Sequence, residues 1–281
     1  MAPINQSANM RLHFSKHFNF PEHFVRQNKK RGIPVSKQLM IYDNIQPLSE
    51  KHAKWSVSIE NHEFISHLNS VPVLATEIAF AASEFPVIFS ATGTEGEYLP
   101  LAVMGLKEGQ NLLLNEKNIL TTRYVPAFIR RYPFVLGGSK DSDMMALCLD
   151  EDSKCMAHDG SKGARLFKDD NSHSDFLNDI VEFLKDYQYR AELTRTFTKK
   201  LHELDLLEPM TANISFKGKE DVNLNLGGFY VVKREKLKTI SDAEVLDLFK
   251  KDGLELIYAH LQSLSNFNRL VDIMSTKLAS D

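Results

Sequence analysis

Cysteine is scarce, with two in 281 residues, so no disulfide framework can hold this chain together. That scarcity fits a reducing compartment and two free thiols. Uninterrupted apolar runs of the roughly 18–20 residues needed to cross a bilayer are missing as well. The opening stretch, MAPINQSANMRLHFSKHF, has no apolar segment of the kind a cleaved secretory signal needs, and a cytoplasmic protein is expected. The net charge of -3 shows no basic excess, which gives no case for general nucleic-acid binding. No P-loop, no G-x-G-x-x-G and no G-x-S-x-G occurs, so the large phosphate-cradling and nucleophile-elbow classes are absent. What remains is a composition of 43% hydrophobic and 25% charged residues, which predicts a folded globular core.

Charge is unevenly spread. Residues 1–40 carry seven Lys/Arg against one acid, Glu22, whereas residues 61–160 carry seven Lys/Arg against thirteen Asp/Glu. Residues 1–34 therefore read as a basic arm, with Phe14, Phe18, Phe20 and Phe24 needing an apolar surface to cover them. Residues 35–281 read as a single α+β domain. The apolar positions 74, 78 and 81 predict a helix from Pro72 to Glu84, followed by strands at 87–89, 98–104 and 111–114. Further strands are expected at 55–59, 145–149, 214–216 and 222–226, with Gly227-Gly228 breaking the last before 229–232. A long helix is expected from 174 to 207, capped by Ser174 or Asp175 and stopped by Pro209. A capped helix should start at Ser241, and a final one should run from 254 to 278. This order predicts an antiparallel or mixed sheet meander covered by several helices, with a C-terminal helical segment.

Candidate metal ligands are sparse. His13 and His17 share a helical face, but no third ligand stands at a recognisable spacing. His62-Glu63 with His67 misses the zinc-protease spacing by one residue and is rejected. His158-Asp159 and His173-Ser174-Asp175 each offer two ligands of the two-His-one-carboxylate type, with His202 or His260 downstream. On that alternative reading the chain is a non-haem-iron-like, peptide-modifying enzyme, with iron held by His173 and Asp175; otherwise no cofactor is predicted.

The densest unusual segment is Arg123-Tyr124-Val125-Pro126-Ala127-Phe128-Ile129-Arg130-Arg131-Tyr132-Pro133-Phe134. Arginine grips carboxylate or phosphate bidentately, and tyrosine offers a stacking face with a hydroxyl. Tyr124, Arg130, Arg131 and Tyr132 are thus the candidate recognition surface. The alternative reading puts the aromatics in the core and pairs an arginine with Asp150, Glu151 or Asp152.

These same residues carry a resemblance. The Tyr124-to-Phe134 motif resembles the SapC family, as do Val71-Pro72-Val73 through Glu77 and Ala81 through Phe89. So do Gly105-Leu106 with Gly109-Gln110-Asn111-Leu112, Cys148-Leu149-Asp150-Glu151, Arg165-Leu166-Phe167, Leu206-Leu207-Glu208-Pro209 and Ser263-Leu264-Ser265-Asn266. The match covers about residues 35–270 and departs at Asn118-Ile119-Leu120 and at Lys168-Asp169-Asp170-Asn171. The resemblance implies an accessory or binding protein for a peptide or saccharide, or an unrecognised modifying enzyme, in a family whose name is linked to a bacterial surface layer. It supplies no catalytic residues. The implied partners are outer-membrane receptor systems for polysaccharide uptake, with tryptophan halogenase-like and cupin-like proteins; a homo-oligomer is compatible with it.

Overall fold

The structure is a computed structural model that describes residues 41–139, 142–216 and 219–280. The expectations for His13, His17, the arm and its phenylalanines lie outside the described residues. In chain order the strands are β1 Ile45–Pro47, β2 Ser56–Val57, β3 Ser70–Pro72, β4 Val87–Ala91, β5 Tyr98–Val103 and β6 Phe134–Ser139. They continue with β7 Ser142–Asp150, β8 Met156–Ala157, β9 Ala164–Arg165, β10 Leu207–Phe216 and β11 Lys219–Val232. The α-helices are α1 Ile78–Ala81, α2 Ala127–Arg130, α3 Asp175–Glu203, α4 Arg234–Leu237, α5 Asp242–Lys250, α6 Gly253–Ser263 and α7 Phe267–Ser280. Antiparallel sheets with several helices and a helical C-terminal segment make this an α+β fold, as the sequence order predicts.

The described residues divide into two compact units. The first takes the residues up to Ser58 with Pro133–Leu184, and the second takes Ile59–Tyr132 with the residues from Lys185 onward. In the first, β1-β7-β6 and β8-β2-β9 are both three-stranded and antiparallel. Alternation along β6 and β7 sends Phe134, Leu136 and Leu149 inward to meet Val57, Leu166 and Leu177. In the second, the order β10-β11-β4-β5-β3 is antiparallel throughout. Phe89, Leu201, Leu206, Val232 and Ile257 form a core on it, so α3 and α6 do bring their apolar stripes to sheet residues. Each such side chain, fully buried, contributes roughly 1.5–3 kcal/mol.

Four local expectations are corrected. The strand read at 111–114 is a turn in which Leu114 forms one isolated bridge with Leu120. The helix read over Pro72–Glu84 is a strand end, a tight 3-10 turn at Ala75–Glu77 and the short α1. The Glu77 carboxylate reaches back to the Leu74 N–H (2.9 Å) and turns the chain before a regular helix can start. Gly227-Gly228 does not break the strand: β11 runs through, because Gly228 takes φ +78° and the pair is absorbed as a bulge opposite Thr211. The final helix is interrupted at Leu264–Asn266. There the Ser263 hydroxyl bonds the His260 carbonyl (2.6 Å) and accepts from Val87 N–H (2.9 Å), and the Asn266 amide bonds the carbonyls of Ala82 and Phe85.

Candidate functional site

A carboxylate inside an apolar turn needs donors to offset its lost hydration. Glu77, only 5% exposed, finds them on both sides of the Tyr124 motif. One oxygen accepts from Leu74 N–H; the other accepts from Ala127 N–H (2.7 Å) and from the Tyr124 hydroxyl. Arg130 Nη2 stands 3.7 Å from the same oxygen, and its Nε donates to the Val125 carbonyl (3.1 Å). Pro126 sets the chain direction into α2, so the Ala127 N–H of the first turn is left for Glu77. Thr194 on α3 secures the same turn by accepting from Ala75 N–H (2.8 Å).

This corner opens to solvent through three side chains. Phe80 is 64% exposed and stacks on Tyr124 (5.8 Å between centroids, 18° between planes). The Arg130 side chain is 49% exposed. Burial first, and then the hydrogen bond to Glu77, push the Tyr124 phenol well above its usual range, so it stays a neutral donor. Nearby, Glu84 accepts from Arg123 N–H (3.3 Å) and from Arg269 (2.9 Å), which ties down the chain that follows α1. The result is an aromatic shelf beside a fixed cation: an arrangement for binding an anion next to a flat or apolar group.

Of the four residues read from the motif, the structure brings Tyr124 and Arg130 together on Glu77. Arg131 and Tyr132 lie in the interior. The Arg131 guanidinium is 4.7 Å from the ring centroids of both Phe128 and Tyr187, and Tyr132 stacks on Phe64 (4.1 Å, 18°). Sequence reasoning did not single out Glu77 or Phe80. The signal for Glu77 was one acid in the apolar run from Val71 to Ala82.

The first unit places the other candidates. His173 is exposed and meets Phe167 edge-on (5.6 Å, 71°), while Asp175 accepts from Lys168 Nζ (2.8 Å). Ser174 is the cap of α3: its hydroxyl accepts from Leu177 N–H and donates to the Arg165 carbonyl. His158 stacks on Trp55 (3.9 Å, 13°). Buried His52 bonds Glu151 (2.8 Å), and Lys51 pairs with the same carboxylate (2.5 Å). In the second unit, both ring nitrogens of buried His260 face backbone: Nδ1 the Val87 carbonyl (2.8 Å), Nε2 the Val232 N–H (3.1 Å). Among the described residues no three His, Cys, Asp or Glu stand where they could hold a metal ion, and no helix is long and apolar enough to cross a membrane.

A family model described as SapC matches residues 48–270, most of the chain, and the chain belongs to that family. No curated protein matches it. No solved structure matches it.

Proposed function

We propose that this SapC-family chain is an accessory binding protein that recognises a carboxylate-bearing peptide through Phe80, Tyr124 and Arg130. The observation that carries the reading is exposed Phe80 stacked on Tyr124 beside Arg130, with Tyr124 and Arg130 held in place by buried Glu77. The guanidinium takes the carboxylate, the Tyr124 hydroxyl, its one hydrogen given to Glu77, can accept from a ligand N–H, and the Phe80 ring covers an aromatic or apolar side chain of the ligand. Arg131 and Tyr132 serve the site from inside by fixing α2, the helix that ends in Arg130. The reading includes partners among receptor-system or tryptophan halogenase-like proteins, whose exposed termini or acidic loops would supply the peptide. It also includes a cytoplasmic location, which the two free cysteines support.

Calorimetry with short peptides ending in Phe or Trp tests it, each with a free or an amidated C-terminus. Binding should weaken about tenfold or more on amidation and again in Arg130→Ala, since a charge-assisted pair is lost each time. Phe80→Ala should weaken all peptides alike. Equal binding of every peptide to the Phe80→Ala/Arg130→Ala double variant and to the unaltered protein overturns the assignment.

A further inference from the structure

One helix face in the second unit is apolar and, among the described residues, uncovered. On α5, Leu248 is buried, while Val245, Leu246 and Phe249 are 37%, 51% and 67% exposed. At 100° per residue, positions 242, 245, 246, 249 and 250 share the outward face. That face starts with an acid, Asp242, and ends with a base, Lys250. Among the described residues neither makes an ion pair, although Asp247, just behind, pairs with both Lys200 and Lys251.

We propose that this face is a docking surface for a second copy of the chain, with α5 lying antiparallel on its own twin. A two-fold axis near Leu246 sets position 242 against position 250 of the other copy, since both are four residues from the centre. Each Asp242 then meets a Lys250, twice by symmetry, and the helix dipoles oppose favourably. Phe249 and Val245 fill the seam on either side of the Leu246 pair. A partner of single charge would satisfy one end of the face and repel the other; the twin satisfies both. A nine-residue helix is only about 13 Å long, so the contact falls at the small end of specific interfaces. The dimer is accordingly a weak, reversible one, with a dissociation constant on the order of 10–100 µM.

Sedimentation velocity of the full chain from about 5 µM to 1 mM tests this, with circular dichroism to confirm that each surface variant folds. A monomer–dimer equilibrium should appear and weaken as salt is raised. Phe249→Glu should weaken it about thirtyfold or more, as loss of a central anchor does. Asp242→Lys alone and Lys250→Glu alone should each weaken it about tenfold, and the double swap should restore it. That restoration separates the antiparallel seam from general stickiness. A chain that stays monomeric at 1 mM overturns the proposal. So does a dimer indifferent to Phe249→Glu, or crosslinks from this face to residues 1–40 of the same molecule.

Discussion

Glu77 in the second unit and Asp150 in the first are both buried acids at turns in the chain, and they hold different things in place. Asp150, the last residue of β7, accepts from the backbone N–H groups of Asp43 (3.0 Å), Asn44 (2.9 Å) and Asp152 (3.3 Å). It fastens the chain before β1 to the end of β7. Glu77 also takes two backbone N–H groups, but spends its remaining capacity on Tyr124 and Arg130. An acid that gathers backbone N–H groups locks a fold; one shared with surface side chains also orients them. The buried histidines differ similarly. His52 hydrogen-bonds the carboxylate of Glu151, whereas both ring nitrogens of His260 hydrogen-bond backbone groups.

The largest expected effect comes from Glu77→Ala. It strands two buried N–H donors and the Tyr124 hydroxyl and leaves Arg130 without its nearby carboxylate, at a cost of about 3–5 kcal/mol. Urea unfolding measures this, and Tyr124→Phe should cost only about 1–2 kcal/mol on the same scale. If Glu77→Ala is no worse than Tyr124→Phe, Glu77 is not the organiser of this corner.

How far these residues were legible follows from the period of each signal. The α5 cap was plain because Ser241 and Glu244 stand three apart and bond reciprocally. The long helix was plain from its stripe, which places Leu177 and Leu184 in one core and Leu201 in the other. The turn at Ala75–Glu77 was hidden because its apolar spacing imitates a helix, and only the Glu77–Leu74 bond, a tertiary choice of side-chain direction, distinguishes it. The Tyr124 motif announced a special place without saying which side chains face out. Arg130 ends α2 and Arg131 follows it, so adjacent residues point one to solvent and the other to the rings of Phe128 and Tyr187.

The histidine contrast gives the next effect, a dependence on pH. Burial pushes the His260 pKa down from 6.5 to about 4, only partly opposed by its bond to the Val87 carbonyl. Nε2 already accepts from Val232 N–H, so a proton there would set two donors face to face. Because the folded value lies below the unfolded one, the neutral ring's stability is fully present above pH 6.5. It drains away between 6.5 and 4, by about 3 kcal/mol in all, and levels off below. His260→Asn should be less stable near neutrality, with the gap closing as pH falls through that window. Parallel pH profiles for the two proteins would remove His260 as the cause. Hydrogen exchange should show the loss in β4 and β11, where its partners lie.

Asp150→Asn should cost less, about 1–2 kcal/mol, because the amide keeps one acceptor oxygen while its NH₂ meets a donor. The effect should stay local. Peptide binding at Phe80 should be unaltered, and a loss of binding there would collapse the distinction between the two acids.

The finest measure of that fastening is the reactivity of the two thiols. Cys148 is buried in β7, paired with Pro47 on β1 and Val135 on β6, with its sulfur against Gly137; Cys155 is partly exposed beyond the strand. Burial raises the Cys148 thiol above its usual value, offset in part by a hydrogen bond from the Gly137 backbone, so little thiolate forms at neutral pH. Iodoacetamide should therefore label Cys155 first and reach Cys148 only when the β1–β7 ladder opens. Asp150 stands two residues from Cys148 and holds the residues leading into β1. Weakening it by about 1.4 kcal/mol should raise the Cys148 labelling rate roughly tenfold and leave Cys155 unchanged. Glu77→Gln, in the other unit, should leave both rates alone. Mass spectrometry of briefly labelled native protein reads both sites at once. Equal acceleration of Cys148 by the two substitutions would mean that the acids act on one cooperative structure rather than on two separately fastened ones.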